Sequence, residues 1–96
     1  MKRLEHIKKL LANKKQMLFK NYAIKSLAIF GSYARNEQNS LSDVDFLVEF
    51  NKKIGVEFID LANELEQIID TKVDLVSING IKEKYFQSIS SDLIYV

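Results

Sequence analysis

Apolar residues recur every three to four positions over the first twenty residues of the chain. On a helix these residues would share one face, and lysines would occupy the other. The apolar set is Leu4, Ile7, Leu10, Leu11, Met17 and Leu18. This spacing predicts an amphipathic helix over about residues 2–20, whose apolar face packs against the rest of the domain.

Shorter apolar runs alternate with helical patterns along the rest of the chain. Runs rich in β-branched and aromatic residues predict strands at about 26–30, 43–50 and 72–76. Helices are predicted to start at Ser32 and to cover about 55–70 and 80–90, and residues 92–96 form a short strand or an extended tail. The order α-β-α-β-α-β-α by pattern alone favours an α/β domain with parallel strands.

Length and composition exclude several classes of protein. Ninety-six residues fit a single domain, which we expect to span residues 1–96. Cysteine is absent and His6 is the only histidine, which excludes disulfides, thiol nucleophiles and histidine-rich metal sites. No apolar run approaches the roughly 18 residues of a membrane span, and no signal peptide is visible. We therefore expect a soluble cytoplasmic protein with no membrane partner.

Charge is distributed unevenly along the chain. The net charge is +1, but residues 1–25 contain eight basic side chains and one acid, whereas the remainder contains six basic and twelve acidic ones. A basic first helix is suited to nucleic acid, nucleotide phosphates or an acidic partner. The simpler interpretation is a solvated helix face, and the charge pattern alone does not choose between them.

The most informative residues lie between two predicted strands. An apolar run ends at Gly31-Ser32, and ten residues further on Asp43-Val44-Asp45 opens the next strand. Because side chains alternate along a strand, Asp43 and Asp45 project from the same face. Neighbouring carboxylates repel unless a cation compensates them, and oxygen ligands favour Mg²⁺ or Mn²⁺. A Gly-Ser turn leaves backbone N–H groups for phosphate oxygens, so the segment predicts phosphoryl or nucleotidyl transfer.

A third acid occurs in a similar setting, at Asp74 in the strand pattern Val73-Asp74-Leu75-Val76. An acid inside a sheet is unfavourable unless it is paired, exposed or bound to metal. Three such carboxylates predict a two-metal cluster, with ions roughly 3.5–4 Å apart. Simpler interpretations stay open: a solvated turn at Asp43 and Asp45, a helix cap at Ser32, and a solvent-facing Asp74.

The spacing Gly-Ser-x10-Asp-x-Asp, followed by a distant strand acid, resembles the nucleotidyltransferase superfamily that includes DNA polymerase β. The whole chain resembles its smallest branch, the minimal nucleotidyltransferases (MNT), through Gly31-Ser32-Tyr33-Ala34-Arg35 and the run 42–48. The resemblance implies an α+β core with a small mixed sheet, in place of a fully parallel one. One departure is Asn36, where the family usually has glycine. Asparagine tolerates positive φ, so we expect the turn to persist.

The resemblance, together with the chemistry of these side chains, assigns roles to them. Two Mg²⁺ ions (or Mn²⁺) would be held by the catalytic acids Asp43, Asp45 and Asp74. Gly31 and Ser32 would bind nucleotide phosphates, with Arg35 as a charged clamp or simply a surface arginine. MNT proteins are typically paired with α-helical HEPN toxins. The implied reaction is transfer of AMP from ATP, or another NTP, to a toxin tyrosine, with the chain acting as the antitoxin of a type VII-like toxin–antitoxin module.

Other functions are compatible with the same residues. The chain could neutralise its partner by complex formation without catalysis, or transfer a nucleotide to RNA or a small molecule, which only the basic first helix supports. Nucleic acid is therefore the less favoured partner. Neither the nucleotide nor the acceptor is identified by any residue, and both a homo-oligomer and a hetero-oligomer with the toxin are open.

Overall fold

The computed structural model describes residues 3–96. Its helices are α1 (Leu4–Asn21), α2 (Glu57–Ile69) and α3 (Glu83–Ile89), and its strands are β1 (Ile24–Phe30), β2 (Val44–Phe50), β3 (Val73–Ser77) and β4 (Ile94–Tyr95). The predicted start of the first helix, at Lys2, lies outside the described residues. No helix within residues 3–96 is both long enough and apolar enough to cross a membrane.

The four strands form one mixed sheet in the order β3-β2-β1-β4. The central strand β1 runs antiparallel to both β2 and β4, whereas β2 and β3 are parallel. The mixed sheet implied by the family resemblance is therefore confirmed, and the parallel arrangement favoured by the order of elements is wrong. The C-terminal segment adds a two-residue edge strand.

The two faces of the sheet are covered to different extents. Helices α1 and α2 pack on one face and bury the main core, which includes Ile7, Leu11, Leu18, Ile29, Val44, Phe46, Val48, Leu61, Leu65 and Ile69. On the opposite face, α3 buries a smaller cluster centred on Phe30, Leu47 and Ile89. Where β2 and β3 begin, Asp45 on this second face is only half-buried and Asp74 is exposed, and we call this part of the second face the open face.

The prediction of a helix that starts at Ser32 is wrong. Residues 32–36 form a single closed turn, in which Glu37 N–H donates to the Ser32 carbonyl at 2.8 Å and Asn36 N–H to the Tyr33 carbonyl at 3.3 Å. Asn36 has a φ of 57°. A left-handed residue with these two bonds is the ordinary way in which a helix is ended, so Asn36 ends the turn before a helix forms. Because no helix begins here, Ser32 does not act as a helix cap, which was the alternative role predicted for it.

Candidate active site

The sheet register brings the predicted acids to the open face. Asp45 of β2 is the register partner of Asp74 of β3, and Asp43 lies two residues before Asp45. The neighbours of opposite parity, Val44 and Phe46, are fully buried in the main core. Since side chains alternate along a strand, Asp45 and Asp74 project together from the other side, and Asp43, just before β2, is close enough for its charge to act on Asp45.

Asp45 is the least exposed of these acids. Its half-buried position raises the pKa of the Asp45 carboxyl to about 6, and the negative charges of Asp74 and Asp43 add to the effect, while Arg35 opposes it. Burial and like charge both disfavour the ionised form. The free protein therefore carries uncompensated negative charge that a cation would neutralise.

Gly31 lies directly against the Asp45 carboxylate. Its φ is +78°, and a Cβ at this position would overlap Asp45 Oδ2 and approach Asp45 Cγ to 3.1 Å. Only glycine satisfies both the left-handed backbone and the close approach. The register explains this contact, because Phe30, the residue before Gly31, pairs with Asp45. The Gly-Ser turn and the central acid thus form one contiguous surface.

The turn also presents backbone donors. Arg35 N–H bonds the Gly31 carbonyl at 3.1 Å, but the amides of Ser32, Tyr33 and Ala34 make no backbone hydrogen bond among residues 3–96. Unpaired amides at the start of a turn, like those at a helix start, attract phosphate and other anions. An anion held here would lie beside the acids across the Gly31–Asp45 contact.

This geometry agrees with what comparison with known proteins finds. The family described as polymerase beta, nucleotidyltransferase, matches residues 5–95. The chain belongs to that nucleotidyltransferase family. One of several Methanocaldococcus jannaschii proteins provisionally named protein adenylyltransferases is 45% identical over 98 residues, covering 100% of both chains. Protein adenylyltransferase MntA of Thermococcus cleftensis is 33% identical and covers 97% of this chain and 95% of its own.

Solved structures give the same fold for this nucleotidyltransferase. A protein provisionally named a minimal nucleotidyltransferase superposes with a TM-score of 0.76 at 26% identity, covering 92% of this chain and 93% of that one. An MNT antitoxin in complex with a tri-AMPylated HEPN toxin from Shewanella oneidensis superposes with a TM-score of 0.66, covering 91% and 69%. At 22% identity, that second likeness shows the fold alone.

The donor set fits the chemistry of the family. Nucleotidyltransferases of this family use divalent metal ions, and carboxylate oxygens are suited to Mg²⁺. Within residues 3–96 no three acidic or histidine side chains are gathered closely enough to count as a formed metal site. The acids nevertheless share one face, and their mutual repulsion supplies a reason to bind a cation.

Arg35 is already engaged by two acids in this nucleotidyltransferase. Its Nη1 donates to Asp92 Oδ2 at 2.7 Å and its Nε to Glu37 Oε1 at 2.9 Å. The pair with Asp92 ties the Gly-Ser turn to the segment just before β4. These two carboxylates compete with a phosphate for the Arg35 guanidinium, which keeps N–H donors beyond these two bonds, and the sequence did not indicate this competition.

We expect Asp92→Asn to tighten ATP binding if Arg35 is a nucleotide ligand, because the mutation removes the negative charge that competes with phosphate for the guanidinium. Arg35→Ala should weaken binding. Titration calorimetry with a non-hydrolysable ATP analogue measures both changes, and the double variant tests whether they are coupled. Tightening that persists in the double variant would mean that Asp92 acts without Arg35, and an unchanged affinity in Arg35→Ala would remove Arg35 from the site.

Two features near the acids were missed in the sequence. A pocket of about 600 Å³ lies beside Asp43 and is lined by Lys72 and the highly exposed Leu41, among others. The main-chain bond from Val44 N–H to the Lys72 carbonyl, 2.9 Å, holds Lys72 next to the start of β2. Tyr85 of α3 lies near Asp45 and Asp74. The alternation Lys72-Val73-Asp74 could have indicated Lys72, but Tyr85 arrives through tertiary packing alone.

Proposed function

We propose that the chain transfers AMP from ATP to a tyrosine hydroxyl of a cognate HEPN toxin and thereby acts as its antitoxin. The observation that carries the proposal is the contact between Gly31 and the Asp45 carboxylate, which joins the phosphate turn to the acid group. A relative that covers nearly the whole chain is named a protein adenylyltransferase, which supports a protein acceptor. We further propose that the chain and this toxin meet in the cytoplasm.

Each part of the site has a defined task in this reaction. The free amides of the turn and the Ser32 hydroxyl bind the β- and γ-phosphates. Two Mg²⁺ ions, or Mn²⁺, held by Asp43, Asp45 and Asp74 would supply neutralisation of the charge that develops on the leaving pyrophosphate. Asp74, exposed on the edge strand β3, accepts the proton of the attacking hydroxyl.

The bond changes follow from this placement. The acceptor oxygen forms a bond to the α-phosphorus, the bond from that phosphorus to the β-bridging oxygen breaks, and pyrophosphate leaves. The hydroxyl proton passes through Asp74 to solvent. The open face gives a protein acceptor room to approach, because α3 covers only part of this side of the sheet.

The test is transfer of label to the partner. The chain is incubated with its cognate HEPN protein, ATP labelled at the α-phosphate, and Mg²⁺, and peptide mapping locates the label. We expect AMP on a tyrosine of the partner and none with Asp43→Asn. Label on RNA would favour the nucleic-acid alternative. If the wild-type chain and Asp43→Asn both neutralised the toxin and no label were transferred, the result would favour a non-catalytic binding module.

Ser32→Ala should weaken ATP binding by roughly 1.5–3 kcal/mol, the contribution of a hydrogen bond to a charged group. The thermal midpoint should stay unchanged, because no helix begins at Ser32 and the mutation removes no cap. Calorimetry with an ATP analogue and a melting curve check the two effects separately. A lower midpoint with unaltered affinity would assign Ser32 a structural role only.

A further inference from the structure

We propose that Tyr85 is a second acceptor: without the partner, the chain transfers AMP to its own Tyr85 hydroxyl. This inference rests on the proposed function, since it uses the same nucleotide and the same acids. It adds a modification site within the enzyme, on the helix that borders the open face.

The position of Tyr85 is fixed by a ring contact. Its ring meets the Phe30 ring edge to face, with centroids 6.4 Å apart and planes at 85°. Phe30 immediately precedes Gly31 and is the register partner of Asp45. The contact therefore holds Tyr85 beside both halves of the candidate site, the phosphate turn and the central acid.

Tyr85 is reachable from solvent and senses the acids. It is 43% exposed, so part of the side chain faces solvent despite the contact with Phe30. Its partial burial raises the pKa of the Tyr85 phenol, and the charges of Asp45 and Asp74 raise it further. Tyr85 is therefore both accessible and close enough to the two acids for their charges to act on it.

The other three tyrosines are less suited to be acceptors. Tyr33 is 2% exposed within the main core. Tyr22 donates its hydroxyl proton to Glu64 at 2.7 Å, between α1 and α2. Tyr95 is exposed but lies on the edge strand β4 opposite Ala28, further along β1 from Phe30. Tyr95 is therefore the matched control, an exposed tyrosine on the same sheet but remote from the acids.

The transfer to Tyr85 forms and breaks the same kinds of bond as the transfer to the partner. The phenolic oxygen of Tyr85 forms a bond to the α-phosphorus of ATP, and the bond from that phosphorus to the β-bridging oxygen breaks. Pyrophosphate leaves, and the phenolic proton passes to solvent. The product is one AMP group on Tyr85. The reaction is intramolecular, because the tyrosine and the acids of one chain already lie together.

The experiment uses the full chain alone with α-labelled ATP and Mg²⁺. We expect one AMP per chain, mapped to Tyr85 by tandem mass spectrometry, at a rate per chain independent of protein concentration. Tyr85→Phe keeps the ring on Phe30 and should lower labelling at least tenfold, whereas Tyr95→Phe should leave it unchanged. Peptide mapping of the wild-type chain gives the site even if a variant folds poorly.

A mixing experiment tests the intramolecular route. Asp45→Asn keeps Tyr85 but lacks an acid, and Tyr85→Phe keeps the acids but lacks the acceptor, so their mixture should stay unlabelled. Label on the Asp45→Asn chain, or on any residue other than Tyr85, would overturn the inference. A labelled partner with an unlabelled chain would overturn it while leaving the proposed function standing. Absence of label from both proteins would refute the two together.

Discussion

Asp45→Asn is expected to slow nucleotidyl transfer by orders of magnitude while making the fold more stable at neutral pH. Asp45 is the acid shared by the two halves of the site, since it lies opposite Asp74 in the strand register and contacts Gly31. Removing its charge should lower the rate by about 10²–10³-fold, the scale associated with loss of one preorganised charge-stabilising group. A single-turnover assay of label transfer to the partner measures this loss.

The gain in stability has a definite pH window. The folded state raises the pKa of Asp45 from 3.8 to about 6, so the ionised form opposes folding. This penalty is absent below about pH 4, grows as the pH rises towards 6, and is complete above it. The unscreened difference is about 3 kcal/mol, and because Asp45 is only half buried we expect about 1–2 kcal/mol after solvent screening. Melting curves of both proteins at pH 4 and pH 7 measure it.

The control for this prediction is Glu49→Gln. Glu49 lies on the same strand and carries the same charge, but it pairs with Lys25, at 3.8 Å, away from the site. It should neither stabilise the protein nor reduce transfer. Mg²⁺ should raise the melting temperature of the wild type but not of Asp45→Asn. Equal stability of wild type and Asp45→Asn at pH 7 would refute the electrostatic account of Asp45.

Gly31→Ala is expected to remove transfer activity and to lower stability. A Cβ here would overlap the Asp45 carboxylate, and the φ of +78° is unfavourable for alanine. The strain should destabilise the fold by roughly 1–2 kcal/mol, and displacement of the acid by an ångström or so should slow transfer by about 10²-fold. Chemical denaturation and the single-turnover assay measure the two effects.

Gly80→Ala is the matched control for this substitution. A Cβ on Gly80 meets no atom within 4 Å, so neither stability nor transfer should change. If Gly31→Ala retained wild-type transfer, the contact between the turn and Asp45 would not be part of the site, and the proposed function would lose its main support.

The alternation of side chains along a strand correctly predicted the sides of the sheet to which Asp45 and Asp74 belong. Asp45 lies opposite Val44 and Phe46, and Asp74 points away from Val73 and Leu75, because the period of a strand is two whatever its neighbours are. The apolar spacing of α1 and α2 likewise predicted the helices that build the main core. These features depend on the local geometry of a strand or helix and on which of its faces is buried, and the spacing of apolar residues in the sequence indicates both directly.

Features that depend on distant partners were not accessible in the same way. Arg35 and Asp92 are 57 positions apart, and Tyr85 reaches Phe30 only because α3 folds back over the sheet. The missing helix after Ser32 has a local cause, the left-handed Asn36, but asparagine is compatible with either a continued or an ended helix. Sequence patterns therefore predicted the acids and the turn, but not the side chains that surround them.

The placement of Asp45 on β2 and of the Gly-Ser turn at the end of β1 has a consequence for how the enzyme loses activity on heating. These strands occupy the middle of the sheet, where amide hydrogens exchange with solvent only through the largest unfolding events. The two-residue β4, held in part by the exposed Arg35–Asp92 pair, belongs to the opposite end of that scale and should fray first. Loss of the part of the site built on β1 and β2 should therefore follow global melting rather than precede it, and deuterium uptake at 94–95 should begin well before uptake at 44–48.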